Sequence, residues 1–297
     1  MTPATPAAAS VRAGAAAMVI ATVLWGATFV VARDLVRAVP PVELVTARFA
    51  VAAVVFGLAA LLARPRGAVS WRATLGGGVL SGALGGAGYL AQTIGLTSTR
   101  AGSSAFLTGV SAALAALLAW PLLGQRPTRP LAEGLALALA GSALLSLRPG
   151  AGGFALGAGE AWTLLCALAF ALEIVALARW APTRDPLRLA AIRSATTALM
   201  LAPFAAGAPA RLAALDGAGW ARFAYLALAG SVVAGFLQLL AQRVLSAGRA
   251  ALQLALEPVF ALVFALTLGG ERFGPAWWAG AALIFAGVAR VEARPTT

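Results

Sequence analysis

The chain has 297 residues, 61% of them hydrophobic and only 11% charged, with a formal charge of +12 at pH 7. Soluble domains carry about 45–50% apolar and about 25% charged residues, so a water-bounded core cannot hide this much apolar side chain. The reading is a membrane protein, which excludes disorder, a collagen-like or disulfide-rich scaffold and most soluble enzymes. Every cation is Arg, scattered singly or in pairs between apolar runs. With no basic stripe, nucleic acid is not an expected partner, and the arginines read as topology-setting charge at membrane edges. The chain has no His, and Cys166 is its only Cys. Disulfides, Cys/His zinc sites and His-based triads are therefore excluded within one chain, and no metal or other cofactor is expected.

A bilayer core about 30 Å thick needs roughly 20 apolar residues as helix. Ten such runs follow one another, near 14–35, 41–63, 73–96, 101–123, 129–147, 157–180, 186–206, 220–243, 249–269 and 274–292. The first is too long for a signal peptide and carries Trp25 and Arg33, so it reads as a retained span. The links are short, which makes consecutive spans antiparallel neighbours. The longest polar linker, Arg148 to Gly153, divides the chain into residues 1–150 and 151–297, five spans each. With both termini in the cytoplasm, most arginines fall inside: Arg12, Arg64, Arg66, Arg72, Arg126, Arg129, Arg179, Arg184, Arg188, Arg243, Arg249, Arg290 and Arg294. The positive-inside rule favours that orientation.

The halves resemble each other. An offset of 146 aligns Gln92 with Gln238, Ala101-Gly102 with Ala247-Gly248, Gly124 and Arg126 with Gly270 and Arg272, Gly134 with Gly280 and Gly141 with Gly287. An offset of 145 aligns Arg48 with Arg193. A tandem duplication explains these pairs. A unit of five spans, repeated, enters the membrane from opposite sides, which relates the halves by a pseudo-two-fold axis in the membrane plane. The expected fold is an all-α polytopic membrane protein: ten transmembrane helices as two inverted five-helix repeats around a central cavity, as in alternating-access carriers.

Several segments, in order and spacing, carry a family resemblance. They are Leu24-Trp25-Gly26-Ala27-Thr28-Phe29, Ala47-Arg48-Phe49, Leu256-Glu257-Pro258-Val259-Phe260, Gly270-Glu271-Arg272, Gly280-Ala281-Ala282-Leu283-Ile284 and Ala286-Gly287. On these the chain resembles the drug/metabolite transporter superfamily, in its ten-helix branch of two EamA-like repeats. The resemblance implies a bacterial inner-membrane exporter of amino acids, metabolites or drugs. The chain departs from the family pattern at Ser111-Ala112, at Gln125 and at Glu173. The first two suggest a diverged first half, and the third puts the substrate class in doubt.

Among residues that can carry chemistry, Glu257 comes first. A carboxylate at mid-bilayer costs about 2.5–3.5 kcal/mol on insertion scales, so it faces the bundle interior, as a coupling or gating group or as a structural hydrogen-bonding one. Pro258 frees the Leu254 carbonyl and can kink the ninth span. Glu173 can attract a substrate ammonium or pair with Arg48 or Arg193. Those two arginines lie near helix starts, where the plain expectation is snorkelling to the interface in a structural role. Gln92 and Gln238, at equivalent positions, can flank a polar substrate group or bond helices together. Gln253 shares a face with Glu257. Trp25, Thr28, Phe29, Tyr89, Phe106, Trp162 and Phe170 are candidates for an apolar cavity wall. Gly78, Gly82 and Gly86 form a small face on the third span, and the glycine pairs of the fifth and tenth spans suit packing between repeats or subunits.

No nucleotide-binding motif is present, so the leading function is a secondary carrier. The expected partners are the lipid bilayer and an amphipathic small-molecule substrate such as a neutral or aromatic amino acid; a monomer or weak homodimer is expected. A passive channel or membrane scaffold is the alternative: a channel needs a polar stripe on most pore helices, and spans 2, 5, 7 and 10 lack one. An intramembrane enzyme is less favoured, because His, paired Asp and HExxH are missing.

Overall fold

The computed structural model describes residues 8–63, 71–99, 101–146, 157–268 and 274–293. Among them there is no strand. Seven helices come first in chain order: α1 (Ala8–Leu35), α2 (Pro41–Leu62), α3 (Trp71–Gly95), α4 (Ala101–Leu123), α5 (Arg129–Ser146), α6 (Ala158–Trp180) and α7 (Pro186–Leu201). Six follow: α8 (Ala208–Ala213), α9 (Gly217–Ala224), α10 (Gly235–Ala241), α11 (Ala247–Leu254), α12 (Glu257–Thr267) and α13 (Pro275–Glu292). Six continuous stretches are long and apolar enough to cross a membrane: 9–35, 41–62, 101–123, 158–183, 217–241 and 247–267. The expected domain linker and the Gly270-Glu271-Arg272 motif lie outside the described residues.

Proline and glycine mark many helix ends. Pro41, Pro186 and Pro275 open α2, α7 and α13 at the first turn, where the missing N–H costs nothing. Gly124, with φ +70°, closes α4 in the left-handed region. The seventh span is shorter than the sequence suggests. Pro203 cannot donate to the helical ladder, so α7 stops at Leu201 and continues as one 3-10 turn, Ala202–Phe204. The short α8 follows where the apolar pattern shows only a loop.

The largest departures fall in the eighth and ninth spans. Residues Tyr225–Ala234, between α9 and α10, are wound as a π-helix. The ninth span is broken at Ala255–Leu256 into α11 and α12. Pro258 supplies the reason: its ring nitrogen cannot donate to the Leu254 carbonyl, so the α-helix cannot run through. Glu257 and Pro258 become the first two residues of a new half-helix.

Exchange of the two halves leaves the packing pattern unchanged. α2 packs on α7, α4 on α11 and α5 on α13. α3 packs on α6 as α1 packs on α10; α4 packs on α6 as α1 packs on α12; α3 packs on α7 as α2 packs on the π-helical stretch. Directions follow from which residues meet. Gly77 faces Trp180 while Gly95 faces Thr163, so α3 and α6 are antiparallel. Gly78 faces Ile192 while Gly86 faces Thr197, so α3 and α7 are parallel, and the small face on α3 serves this contact. Gly134 meets Gly287 and Gly141 meets Gly280, so α5 and α13 cross antiparallel with backbones nearly touching. These glycines therefore join the two halves. The outer faces are apolar, with Leu61, Leu62, Leu199, Phe204 and Trp278 exposed, the inverse of a soluble protein and fit for lipid.

A methyl group on Gly287 would stand 2.5 Å from the Gly134 carbonyl oxygen, whereas one on Gly76 would meet nothing within 4 Å. Overpacking of a tight contact costs about 1–3 kcal/mol. Gly287→Ala is therefore expected to lower the thermal unfolding midpoint in detergent, with Gly76→Ala neutral or slightly stabilising. Equal midpoints for the two variants would refute a tight α5–α13 contact.

Candidate functional site

Between the helices lies a pocket of about 30 Å³, room for about two waters. Trp25 and Thr28 of α1, Tyr89 and Gln92 of α3, and Thr108 and Ser111 of α4 form one part of its wall. Phe170, Glu173 and Ile174 of α6, Gln238 of α10, Leu254 of α11 and Glu257 of α12 form the other. Both halves contribute. Trp25, Thr28, Tyr89, Gln92, Phe170, Glu173, Gln238 and Glu257, all candidates from the sequence, are brought together here.

Other candidates lie elsewhere. Phe29 is buried in an apolar cluster with Leu35, Leu44 and Ala261. Phe106 is buried in α4 outside the wall. Trp162 is 40% exposed on the outside of α6 and lines nothing. Gln253 is turned away from Glu257, because its amide donates to Glu292 Oε1 at 3.0 Å, next to the Arg249–Glu292 ion pair. The break after Leu254 explains this: the two residues no longer share one helical face. Pro258 packs toward Gly109 of α4.

Arg48 and Arg193 correct the snorkelling expectation. They are 3% and 5% exposed, wholly inside the bundle. Arg193 forms an ion pair with Glu173, which is 2% exposed. Its remaining donors reach Gln238 Oε1 at 3.3 Å and the Gly235 carbonyl at 3.5 Å. Arg48 donates through Nε to Ser231 Oγ at 2.7 Å. Its guanidinium stands over the Tyr89 ring, 4.9 Å from the centroid. Tyr89 in turn packs edge-on against Phe170 at 4.9 Å and tilted on Phe49 at 5.0 Å. Snorkelling fails because each arginine finds internal partners, Arg48 across the halves at Ser231 and Arg193 within its own half.

Irregular backbone holds part of the wall in place. At the end of the π-helical stretch the Gly235 N–H turns to Val232 O. The Gly230 carbonyl accepts instead from Trp25 Nε1 at 2.9 Å, which locks that indole across the half-to-half boundary. The Tyr225 hydroxyl donates to Leu24 O at 2.8 Å and adds a second tie. Gln92 Nε2 reaches Thr108 Oγ1 at 3.4 Å. Gln242 lies fully buried, its amide donating to Ile174 O at 2.8 Å. Ile174 and Leu254 were not singled out by the sequence, since apolar residues among apolar residues give no signal. No group of three or more His, Cys, Asp or Glu able to hold a metal occurs among the described residues.

The model of the EamA-like transporter family matches the chain twice, over residues 12–147 and again over 157–291. An uncharacterized transporter of Archaeoglobus fulgidus is 29% identical over 285 residues, covering 93% of this chain and 85% of that protein. A protein of known crystal structure superposes with a TM-score of 0.71 at 23% identity, over 93% of this chain and 96% of the other. That likeness concerns the fold alone.

The Glu173–Arg193 pair generates a stability prediction. Removing one partner of a buried pair costs roughly 3–5 kcal/mol, because the other charge is left uncompensated. Glu173→Ala is expected to lower the unfolding midpoint clearly, and Glu173→Met combined with Arg193→Met to recover much of the loss. A double variant as unstable as the two single losses added would show that the groups do not act as a pair.

Proposed function

Because the chain belongs to the EamA-like transporter family, we propose that it is a secondary carrier exporting neutral or aromatic amino acids, or related small metabolites or drugs, by alternating access. The carrier has ten spans arranged as two inverted five-helix repeats, residues 1–150 and 151–297, with both termini in the cytoplasm of a bacterial inner membrane. Support for the repeats comes from the double family match, from packing that is invariant under exchange of halves, and from the antiparallel α5–α13 crossing.

The observation that carries the functional reading is the position of the cavity. It lies between the halves, where the broken α11–α12 helix and the π-helical stretch meet α1, α3 and α6. Carriers place their substrates at such repeat interfaces, on discontinuous helices, because free backbone groups and half-helix ends are available there. The wall combines aromatic and aliphatic groups, Trp25, Tyr89, Phe170, Ile174 and Leu254, with a few polar ones, Thr28, Gln92, Thr108, Gln238 and Glu257. That mixture suits a molecule with a compact polar end and an apolar side chain. Glu257, on the wall at the start of a half-helix, is the coupling or gating group of the cycle.

Counterflow in proteoliposomes, with labelled neutral and aromatic amino acids and no ion gradient, tests the reading. Saturable exchange of at least one compound is expected; its absence both without a gradient and under a pH gradient, from folded protein and across amino acids, metabolites and drugs, would overturn it. Glu257→Gln is expected to impair transport or flatten its pH response while the protein stays folded. Trp25→Ala is expected to change substrate preference, and an effect on yield alone would return Trp25 to a packing role.

A further inference from the structure

Among the described residues Arg48, Arg193 and Glu173 are buried near the cavity and Glu257 stands on its wall, and only one pair of these is neutralised internally; Glu43 is buried elsewhere, beside Gly207. Arg193 and Glu173 satisfy each other. Arg48, its counterpart in the first half, has no carboxylate within ion-pair distance among the described residues, and its buried Nη2 has no hydrogen-bond partner. Glu257 forms no ion pair and no side-chain hydrogen bond among the described residues, yet its side chain is on the cavity wall. Position 28 explains the asymmetry. It corresponds to Glu173 at the offset of 145 that relates Arg48 to Arg193, and it is Thr in the first half. The point beside Gly230 where a Cβ would sit is 3.1 Å from both Arg48 Nη2 and Thr28 Cγ2. The unpartnered nitrogen and the Thr28 methyl thus both border Gly230, with Tyr89 under the guanidinium; Thr28 and Tyr89 are in the wall, and Arg48 itself lies behind it.

An unpaired cation behind the wall and an unpaired anion on it cost free energy unless a ligand completes them. We propose that Arg48 and Glu257 are the two poles of a zwitterion site. Arg48 takes the α-carboxylate of a free amino acid past Thr28, Glu257 takes its α-ammonium, and the aromatic wall holds the side chain. The guanidinium keeps Nε on Ser231 and presents Nη2 to the ligand, a planar donor suited to a carboxylate. Glu173 does not serve as the ammonium pole, because Arg193 already occupies it. This inference rests on the amino acid reading above and narrows it: the carrier selects for both charged ends rather than for the apolar side chain alone.

The test uses the wild-type protein first. Competitors are compared for inhibition of amino acid counterflow: L-phenylalanine, phenethylamine without the carboxylate, and 3-phenylpropanoate without the ammonium. Leucine with isopentylamine and 4-methylpentanoate serves if leucine is the better substrate. Both truncated analogues are expected to inhibit about ten- to hundredfold more weakly than the amino acid, since each leaves one buried charge unmet. Arg48→Gln is expected to bring the amino acid down to the level of its amine while leaving the amine unchanged, and Arg48→Lys to restore part of the difference. Glu257→Gln is expected to do the same for the acid analogue. Wild-type inhibition by the analogues equal to that of the amino acid overturns the zwitterion site while leaving the carrier reading intact, and so does an equal loss for all three compounds in folded Arg48→Gln. Exchange of other compounds with no amino acid exchanged removes the amino acid reading, and this site with it.

Discussion

Hydrocarbon offers no hydrogen-bond partner, and this protein nevertheless buries Arg48, Arg193 and Glu173 inside its bundle and sets Glu257 on the cavity wall. That constraint organises the interior. Each charge must be met by protein or by cargo, because an isolated ion in an apolar medium is costly far beyond any packing gain. Arg193 draws α6, α7 and α10 together through Glu173, Gln238 and the Gly235 carbonyl. Arg48 ties α2 to the π-helical stretch through Ser231 and to α3 through the Tyr89 ring. The two arginines occupy corresponding positions but clamp differently: Arg48 reaches into the other half, and Arg193 binds within its own.

The same physical rule governs the backbone. A spanning helix satisfies its own N–H and C=O groups, and departures from it are tolerated in a membrane only where protein or a cavity covers them. Both departures in the spanning helices fall beside the cavity. Pro258 ends the ladder at Leu254 and starts a new half-helix at Glu257. The π-helical stretch closes on Val232 and leaves the Gly230 carbonyl for Trp25. Elsewhere regular helices meet through small residues: Gly134 with Gly287, Gly141 with Gly280, and the Gly78–Gly86 face against α7. Close backbone approach supplies dispersion contact that lipid cannot match, since no hydrophobic gain is available between helices in a bilayer.

The halves are alike in packing and unlike at the site. Positions 25 and 170, which correspond between halves, carry Trp and Phe, and positions 28 and 173 carry Thr and Glu. Near-symmetry at the helix contacts preserves the frame. Divergence at a handful of wall positions leaves one half's cation neutralised and the other's not.

Composition and run length alone established a helical membrane chain, because apolar content and helix length are set by the solvent and not by any contact. The internal offset, read from Gln92/Gln238 and Arg48/Arg193, anticipated the double family match for the same reason: it is written in residue identity. Eight of the candidate residues, Trp25, Thr28, Tyr89, Gln92, Phe170, Glu173, Gln238 and Glu257, meet at the cavity because polar or aromatic groups in an apolar span have few other places to go. Tertiary structure alone decided the rest. Whether Arg48 and Arg193 reach outward or inward depends on partners from other helices, which local spacing does not encode. Gln253 was placed beside Glu257 by helical periodicity, and the break before Pro258 undid that periodicity. Phe29, Phe106 and Trp162 are apolar in every direction the sequence can see, so only the packing of neighbouring helices distinguishes core, cavity and lipid.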